Sequence, residues 1–510
     1  MKLVLDGNSL TIKDVYNYAF CKDGEITISL SKESERVLDR KYKKLLTILN
    51  KKTVYGTNTG VGVFNNKLIV EKNDLFKLQK NIIKSHAAGV GEYFDKSIVK
   101  AAILIRANSL CKGYSGVRPD LVKFLLKMLN SNIYPRVPSI GSLGASGDLV
   151  PLAHIGLVMI GEGEAEYNGK IYPGKIALDK GGLKPFEFYP KEALALINGT
   201  SFMGALASLA VYRAERLKYM ANLCASITME ALGSHIEQFN LNLHRVRPYS
   251  EIMEISKEIL NILKDSYLVN FNSQKNIQDA YSVRCIPQVH GAVLMAINHA
   301  KRNVEIEINS SDDNPLFFEK NKNLLVLHGG NFHGEPIALS MNYLSIALSE
   351  IGGISECRIS HLLVPDYYRD NFPMFITERG GINSGYMIAH TTASALCAEN
   401  RVLANPCSTD NIPTVGNVED HHSMGLLAAK NCNKILDNLE DILSIELLSA
   451  IRFIDLYNSN NKKKLKLSSI TMEIYKKIRK AIPFVKDDST IYDKITKVKK
   501  LMRNEILRSK

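Results

Sequence analysis

The chain has 510 residues, 45% of them hydrophobic, and carries 65 Lys and Arg against 52 Asp and Glu, a formal net charge of +13. That length can bury a large core in more than one region, and the 8 Cys are scattered with no Cys-x-x-Cys pair and no Cys/His zinc spacing, so they read as reduced thiols and not as a disulfide framework. The basic excess sits largely in lysines such as Lys462-Lys463-Lys464 and Lys499-Lys500 without interleaved aromatics, which predicts solvated surface and argues against a nucleic-acid partner.

No run of 18 apolar residues occurs, and Met1-Lys2-Leu3-Val4-Leu5-Asp6-Gly7 has no signal-peptide pattern. A soluble, cytoplasmic protein with no membrane partner is the expectation. Residues 1–50 read as a capping region, with one strand in Glu25-Ile26-Thr27-Ile28-Ser29-Leu30 and a charged helix from Ser31 to about Asn50. The stretch Val54-Tyr55-Gly56-Thr57-Asn58-Thr59-Gly60-Val61-Gly62 has too many glycines for a helix. It reads as a mobile loop presenting Tyr55, or more plainly as a surface turn with a packed aromatic. Residues 75–91 begin helical and end in Ser85-His86-Ala87-Ala88-Gly89-Val90-Gly91, where a lone His86 at a helix end is as a rule structural. A helix over 97–112 and a loop through Pro119 follow.

Residues 141–154 read Gly-Ser-Leu-Gly-Ala-Ser-Gly-Asp-Leu-Val-Pro-Leu-Ala-His. Within them Ala145-Ser146-Gly147 can react with itself: in a tight bend the Gly147 nitrogen attacks the Ala145 carbonyl carbon. Loss of two waters, one taking the Ser146 hydroxyl, leaves 4-methylideneimidazole-5-one, a ring with an electrophilic methylidene. Gly147 tolerates the dihedrals this closure needs, and Ala145 adds little bulk. Asp148 suits a helix N-cap, and Pro151 fits only a first turn, so a helix should start near Leu149 with its positive end facing the tripeptide. Alone, Ala-Ser-Gly is a common surface turn.

Residues 161–185 alternate as a small hairpin does, and Asn198-Gly199-Thr200 opens a helix expected to reach about Gln238. Further helices are predicted over 288–303, 337–363, 385–404 and 424–456. The last three, apolar on most faces, must be buried in a bundle core or at subunit interfaces. A polar connection over 457–467 then leads to a final amphipathic helix pair.

Four polar segments are set among glycines and apolar residues: 278–284 (Gln-Asp-Ala-Tyr-Ser-Val-Arg), 307–316, 330–336 (Gly-Asn-Phe-His-Gly-Glu-Pro) and 419–424 (Glu-Asp-His-His-Ser-Met). With Tyr55, Ser85-His86, the Ala145-Ser146-Gly147 loop and Asn198, in this order, they resemble the aromatic amino acid ammonia-lyases, histidine ammonia-lyases above all, from about residue 50 to 425. The resemblance implies a mainly α fold: a long-helix bundle of the fumarase/aspartase-like superfamily, with a smaller N-terminal region carrying the prosthetic-group loop. It implies two regions, 1–200 with the Tyr loop and the Ala-Ser-Gly loop, and 201–510 with the helical bundle and the oligomerisation surface. The Gly-Ser-Ser-x-Met-Pro-x-Lys-x-Asn loop of the fumarase-type lyases themselves is missing.

The same resemblance implies the roles. The methylideneimidazolone from Ala145, Ser146 and Gly147 takes the substrate amine and makes it a better leaving group, with no metal and no diffusible cofactor. Tyr55 is the base for the β-proton, which requires its pKa to be lowered. Arg284 holds the carboxylate by a two-pronged pair. Asn198 and Tyr281 orient ring and amine, and Gln278 and Phe332 line the site. Ser85-His86 and Glu419 suit an imidazole, implying L-histidine as substrate and urocanate as product. Three positions depart from the family pattern: Val418 stands where Gln is usual, and Val415 and His422 replace commoner residues. A tyrosine or phenylalanine ammonia-lyase, or an aromatic 2,3-aminomutase with the same group, stays open, as does a catalytically dead helical scaffold. The family assembles as a homotetramer whose active sites are shared between subunits.

Overall fold

The computed structural model describes residues 1–49, 52–320, 323–462 and 464–506. Contacts divide the chain into two units: 1–212 with 300–342 and 406–430, and 213–299 with 343–405 and 431–510. Four of the five boundaries fall inside helices, Ser201–Leu232, Ile286–Glu307, Glu335–Leu363 and Gly425–Asn460, and the fifth lies between Asn405 and Pro406. As the sequence implies, the fold is mainly α, and the sheets among the described residues have two or three short strands each.

In the first unit Lys2–Leu5 pairs in parallel with Thr27–Leu30. Between them runs the helix Ile12–Phe20, whose start is closed by a reciprocal capping box between Thr11 and Asp14. The strand Lys2–Leu5 and this helix were not legible, being four and nine residues long and lacking a sustained period. The charged helix spans Lys32–Leu49, and Asn50 lies outside the described residues. Lys96–Cys111 is buried almost all round. Pro119 opens a further helix, Pro119–Asn130, where the sequence suggested only a loop. The expected hairpin is Glu164–Tyr167 with Lys170–Pro173, extended by Ile133–Pro135 and followed by the helix Gly174–Lys180. The strands Leu316–Lys320 and Asn323–Leu327 pair antiparallel, with Phe317 and Leu324 closing a small core on Tyr42, Leu45 and Val54.

In the second unit Glu446 ties three helices together. It pairs with Arg358 through two bonds of 2.6 and 2.9 Å and accepts from Thr228 at 2.9 Å and Ser355 at 2.5 Å. Both ends of the ion pair are fully buried, so removing either one would strand a charge. Ser201–Leu232 stops six residues before Gln238 because Gly233, at φ +78°, turns its amide back to the Met229 carbonyl. Gly425–Asn460 instead runs on past the expected end, so the polar connection starts at 461; Lys463 of that connection lies outside the described residues. The final pair is Ser469–Ala481 and Tyr492–Leu501.

One described helix, Glu335–Leu363, is long and apolar enough to cross a membrane, although no unbroken apolar run signalled it. Its most apolar window is 61% buried in protein, as befits a core helix. Even so Leu339, Tyr343 and Ile346, spaced along one stripe of that helix, stay exposed in the single chain, as do Ile388 and Val402.

Candidate active site

The Ala145-Ser146-Gly147 tripeptide is held by several contacts within the first unit. Gly147 lies at φ +70°, and a Cβ there would stand 2.3 Å from the Gly199 carbonyl oxygen; Gly144, at φ +81°, has no more room beside Ser423 Oγ. Asn198 Nδ2 donates to the Ser146 carbonyl at 3.0 Å, and Ser142 Oγ donates to the Gly147 carbonyl at 3.1 Å. Ala145 is buried, while Ser146 is half-buried and donates through Oγ to Glu419 Oε1.

The helix after the loop starts at Leu149 as expected, but Asp148 does not cap it. Its carboxylate accepts instead from the amides of Phe202 at 2.8 Å and Met203 at 2.9 Å, capping Ser201–Leu232. The reason is register: the Asp148 amide is drawn to the Gly199 carbonyl at 2.7 Å, which carries the side chain to the neighbouring helix start. Two more helix starts grip the loop. Gly334 N donates to the Gly144 carbonyl at 3.0 Å just before Glu335–Leu363, and Met424 N donates to the Leu143 carbonyl at 2.8 Å just before Gly425–Asn460. Four helix N-termini therefore border residues 143–148, and their combined field favours negative charge at the tripeptide.

Behind the loop lies a buried charge cluster. Asp312 accepts from Arg106 at 2.7 Å and from Thr200 N at 2.7 Å, and Lys191 meets Asp313 at 2.6 Å with both side chains fully buried. Burial raises Asp148 to about 7 against the three hydrogen bonds that pull it down, and burial likewise raises Glu307 to about 7.

Tyr55 Oη accepts from Gly62 N at 3.0 Å. Its loop is tied down more firmly than a mobile segment: Thr57 to Thr59 are buried, Asn58 Oδ1 accepts from Val54 N at 2.7 Å, and Thr59 Oγ1 from Gly56 N at 3.1 Å. The expected lowering of its pKa is not produced within this chain. Burial raises it, the Gly62 amide partly offsets this, and the Glu419 charge raises it further. His86 is half-buried with Nδ1 against the Ile82 carbonyl at 2.8 Å, so the proton sits on Nδ1 and Nε2 is left as an acceptor. Burial lowers its pKa, the Ile82 carbonyl and the Glu419 charge opposing.

Glu419 thus acts on Ser146, Tyr55 and His86 together. Its backbone carbonyl accepts from Thr414 N at 2.8 Å, and Thr414 Oγ1 lies 3.1 Å from Nε2 of the buried His422. Among the three unusual positions, His422 brings its Nε2 to 4.0 Å from Glu419 Oε2. Val418 is exposed, and Val415 meets Gly62 beside the Tyr55 loop. Phe332 is half-buried in the segment that Gly334 pins to the reactive loop.

Gln278, Tyr281 and Arg284 belong to the second unit. Tyr281 is 70% exposed; the Arg284 guanidinium lies 4.7 Å from its ring centre and donates to Gln278 Oε1 at 2.8 Å. The first unit therefore gathers Tyr55, His86, residues 145–147, Asn198, Phe332 and Glu419, and the second gathers the expected carboxylate-binding group. Asp148's true partner, Thr414 and the Arg106–Asp312 pair were missed, since each is an ordinary residue locally and acquires meaning only through distant partners.

A self-held Ala-Ser-Gly loop in a field of helix starts, beside a tyrosine and a carboxylate, marks a mainly helical lyase. The aromatic amino acid lyase family matches over residues 10–480, and the chain belongs to that family. A histidine ammonia-lyase of Caldanaerobacter subterraneus subsp. tengcongensis is 44% identical over 495 residues, covering 96% of this chain and 94% of that protein. The crystal structure of histidine ammonia-lyase from Trypanosoma cruzi is similar with a TM-score of 0.90 and 36% identity, covering 100% of this chain and 94% of that one. Tyrosine aminomutase from Streptomyces globisporus has a TM-score of 0.92 at 33% identity, covering 100% and 98%.

Proposed function

We propose that this protein is a histidine ammonia-lyase, releasing ammonia from L-histidine to leave trans-urocanate. The observation that carries this reading is Glu419, hydrogen-bonded to Ser146 and close enough for its charge to act on both His86 and Tyr55. His86 offers an acceptor and Glu419 a carboxylate, a polar end to the pocket that a phenyl ring would leave unpaired. The full-length similarity to histidine ammonia-lyases supports the same substrate.

The tripeptide loop fits a methylideneimidazolone: Gly147 and Gly199 approach too closely for side chains, and Asn198 holds the Ser146 carbonyl that would become part of the ring. Closed in this way, residues 145–147 supply an electrophile that makes the amine a better leaving group. Tyr55 Oη then takes the β-proton as the double bond forms and ammonia departs. Arg284, with Gln278 and Tyr281, receives the substrate carboxylate. Phe332 lines the site.

The exposed stripe of Leu339, Tyr343 and Ile346 supports assembly, and we take the working form to be a cytoplasmic homotetramer with shared sites, residues 1–200 supplying the reactive loops and 201–510 the assembling helices. Inactive Tyr55→Phe and Arg284→Ala chains, mixed during partial denaturation and reassembly, should then regain some activity. No recovery in mixed oligomers would exclude sharing.

The substrate test is ultraviolet detection of urocanate from L-histidine against coumarate from L-tyrosine. Glu419→Gln should lower kcat/KM for histidine roughly a hundredfold, the scale of a lost charged hydrogen bond, with the ring retained. Tyrosine is the rival, because its hydroxyl can donate to His86 Nε2. A higher kcat/KM for tyrosine would replace the substrate, and a β-amino acid product would replace lyase by aminomutase.

A further inference from the structure

Beyond that reading, the geometry points to a binding site for a first-row transition-metal dication, of the zinc type, formed by His333, Glu335 and His421. The three donor atoms all lie within 4.8 Å of one another. Glu335 Oε2 is 4.0 Å from His333 Nδ1 and 4.0 Å from His421 Nε2. Tetrahedral coordination at about 2.0–2.1 Å brings such donors to about 3.3 Å apart, so small side-chain rotations close the set.

Two further features single out these residues. His333 Nε2 lies 3.2 Å from the His421 carbonyl, which accepts its proton and leaves the Nδ1 lone pair for a ligand. Binding the far nitrogen to a backbone carbonyl is the arrangement that orients a metal-ligating imidazole. Glu335 Oε2 is shielded from solvent, and no hydrogen-bond donor among the described residues reaches it. A carboxylate oxygen in that position is stabilised by a cation. The two imidazole rings lie 5.6 Å apart, centre to centre, with 9° between their planes.

Two nitrogens and one carboxylate favour zinc, cobalt or nickel over magnesium or calcium, which take all-oxygen sets. Three protein ligands leave a fourth position open, and His421, 70% exposed, gives an entry path. Bound there, the ion would join segment 330–336 to segment 419–424. Both already grip the reactive loop, through Gly334 to Gly144 and Met424 to Leu143. The ion would therefore brace the two segments that carry Phe332 and Glu419.

The test uses the full chain, freed of metal by chelator and dialysed, with no histidine present. Co2+ is titrated by visible absorption and Zn2+ by calorimetry, in wild type, Glu335→Gln and His421→Ala. One ion per chain is expected in wild type, with a rise in Tm on adding Zn2+. Both variants should bind at least tenfold more weakly and lose that rise. Glu335→Gln keeps the shape of the side chain, and His421→Ala keeps the carbonyl that His333 uses. Circular dichroism checks that each variant is folded. No binding by wild type, or wild-type affinity in either folded variant, overturns the proposal.

Discussion

Ser146→Ala should abolish turnover and leave the fold in place. The wild-type chain should weigh two waters less than its encoded mass, while the variant weighs the encoded mass. The substitution removes one oxygen, the atom whose loss creates the methylidene. What holds the loop survives: the Asn198 bond goes to the Ser146 backbone carbonyl, and the Gly147–Gly199 approach involves no side chain. Helical content should therefore be unchanged while activity falls on the order of a thousandfold or more, as when a reacting group is deleted. Intact-mass spectrometry and a urocanate assay decide it. A fully active wild type at its encoded mass contradicts the whole chemical reading.

Tyr55→Phe should keep the mass deficit and lose roughly 10²–10⁴-fold in kcat, the range a positioned general base contributes. The phenol Oη is the atom in play, since the ring can stay packed beside the Gly62 amide that now hydrogen-bonds it. Within this chain burial and the Glu419 charge hold Tyr55 above its ordinary pKa. A base must be deprotonated to act, so wild-type kcat/KM should climb as pH rises toward the alkaline range, and the variant should lack that climb. On the proposed role, a lowering of that pKa would come from positive charge brought near Tyr55 outside these contacts. A variant retaining more than about a tenth of wild-type kcat, with an unaltered pH profile, would remove Tyr55 from the role of base.

The departures at Val415, Val418 and His422 looked alike in the sequence but separate in three dimensions. Val418 faces solvent and Val415 meets the Tyr55 loop, whereas His422 is buried against Thr414 and close to the Glu419 carboxylate. A pocket built from several short segments cannot be ranked by distance along the chain. Helix existence was far more legible than helix ends. Ser201–Leu232 was terminated by Gly233 and Gly425–Asn460 was carried past its expected end, because caps and packing set the last turn while the apolar period sets the body.

By itself, the sequence determined the long helices and the bent Ala145-Ser146-Gly147 loop with the helix that starts at Leu149 behind it. Each is written in a local window: a 3.6-residue apolar period, a proline in a first turn, glycines where the backbone must bend. Only the tertiary structure decided which groups meet. Asp148 caps a helix that starts more than fifty residues on, Ser146 finds Glu419 at a separation of 273, and Ser423 binds Gly144 at 279. His333 reaches the His421 carbonyl at a separation of 88, a pairing that no short sequence spacing announces. Such pairings follow from how helix starts are packed around one loop, where each orphan amide and carbonyl must find a partner, and no local pattern encodes which partner that is.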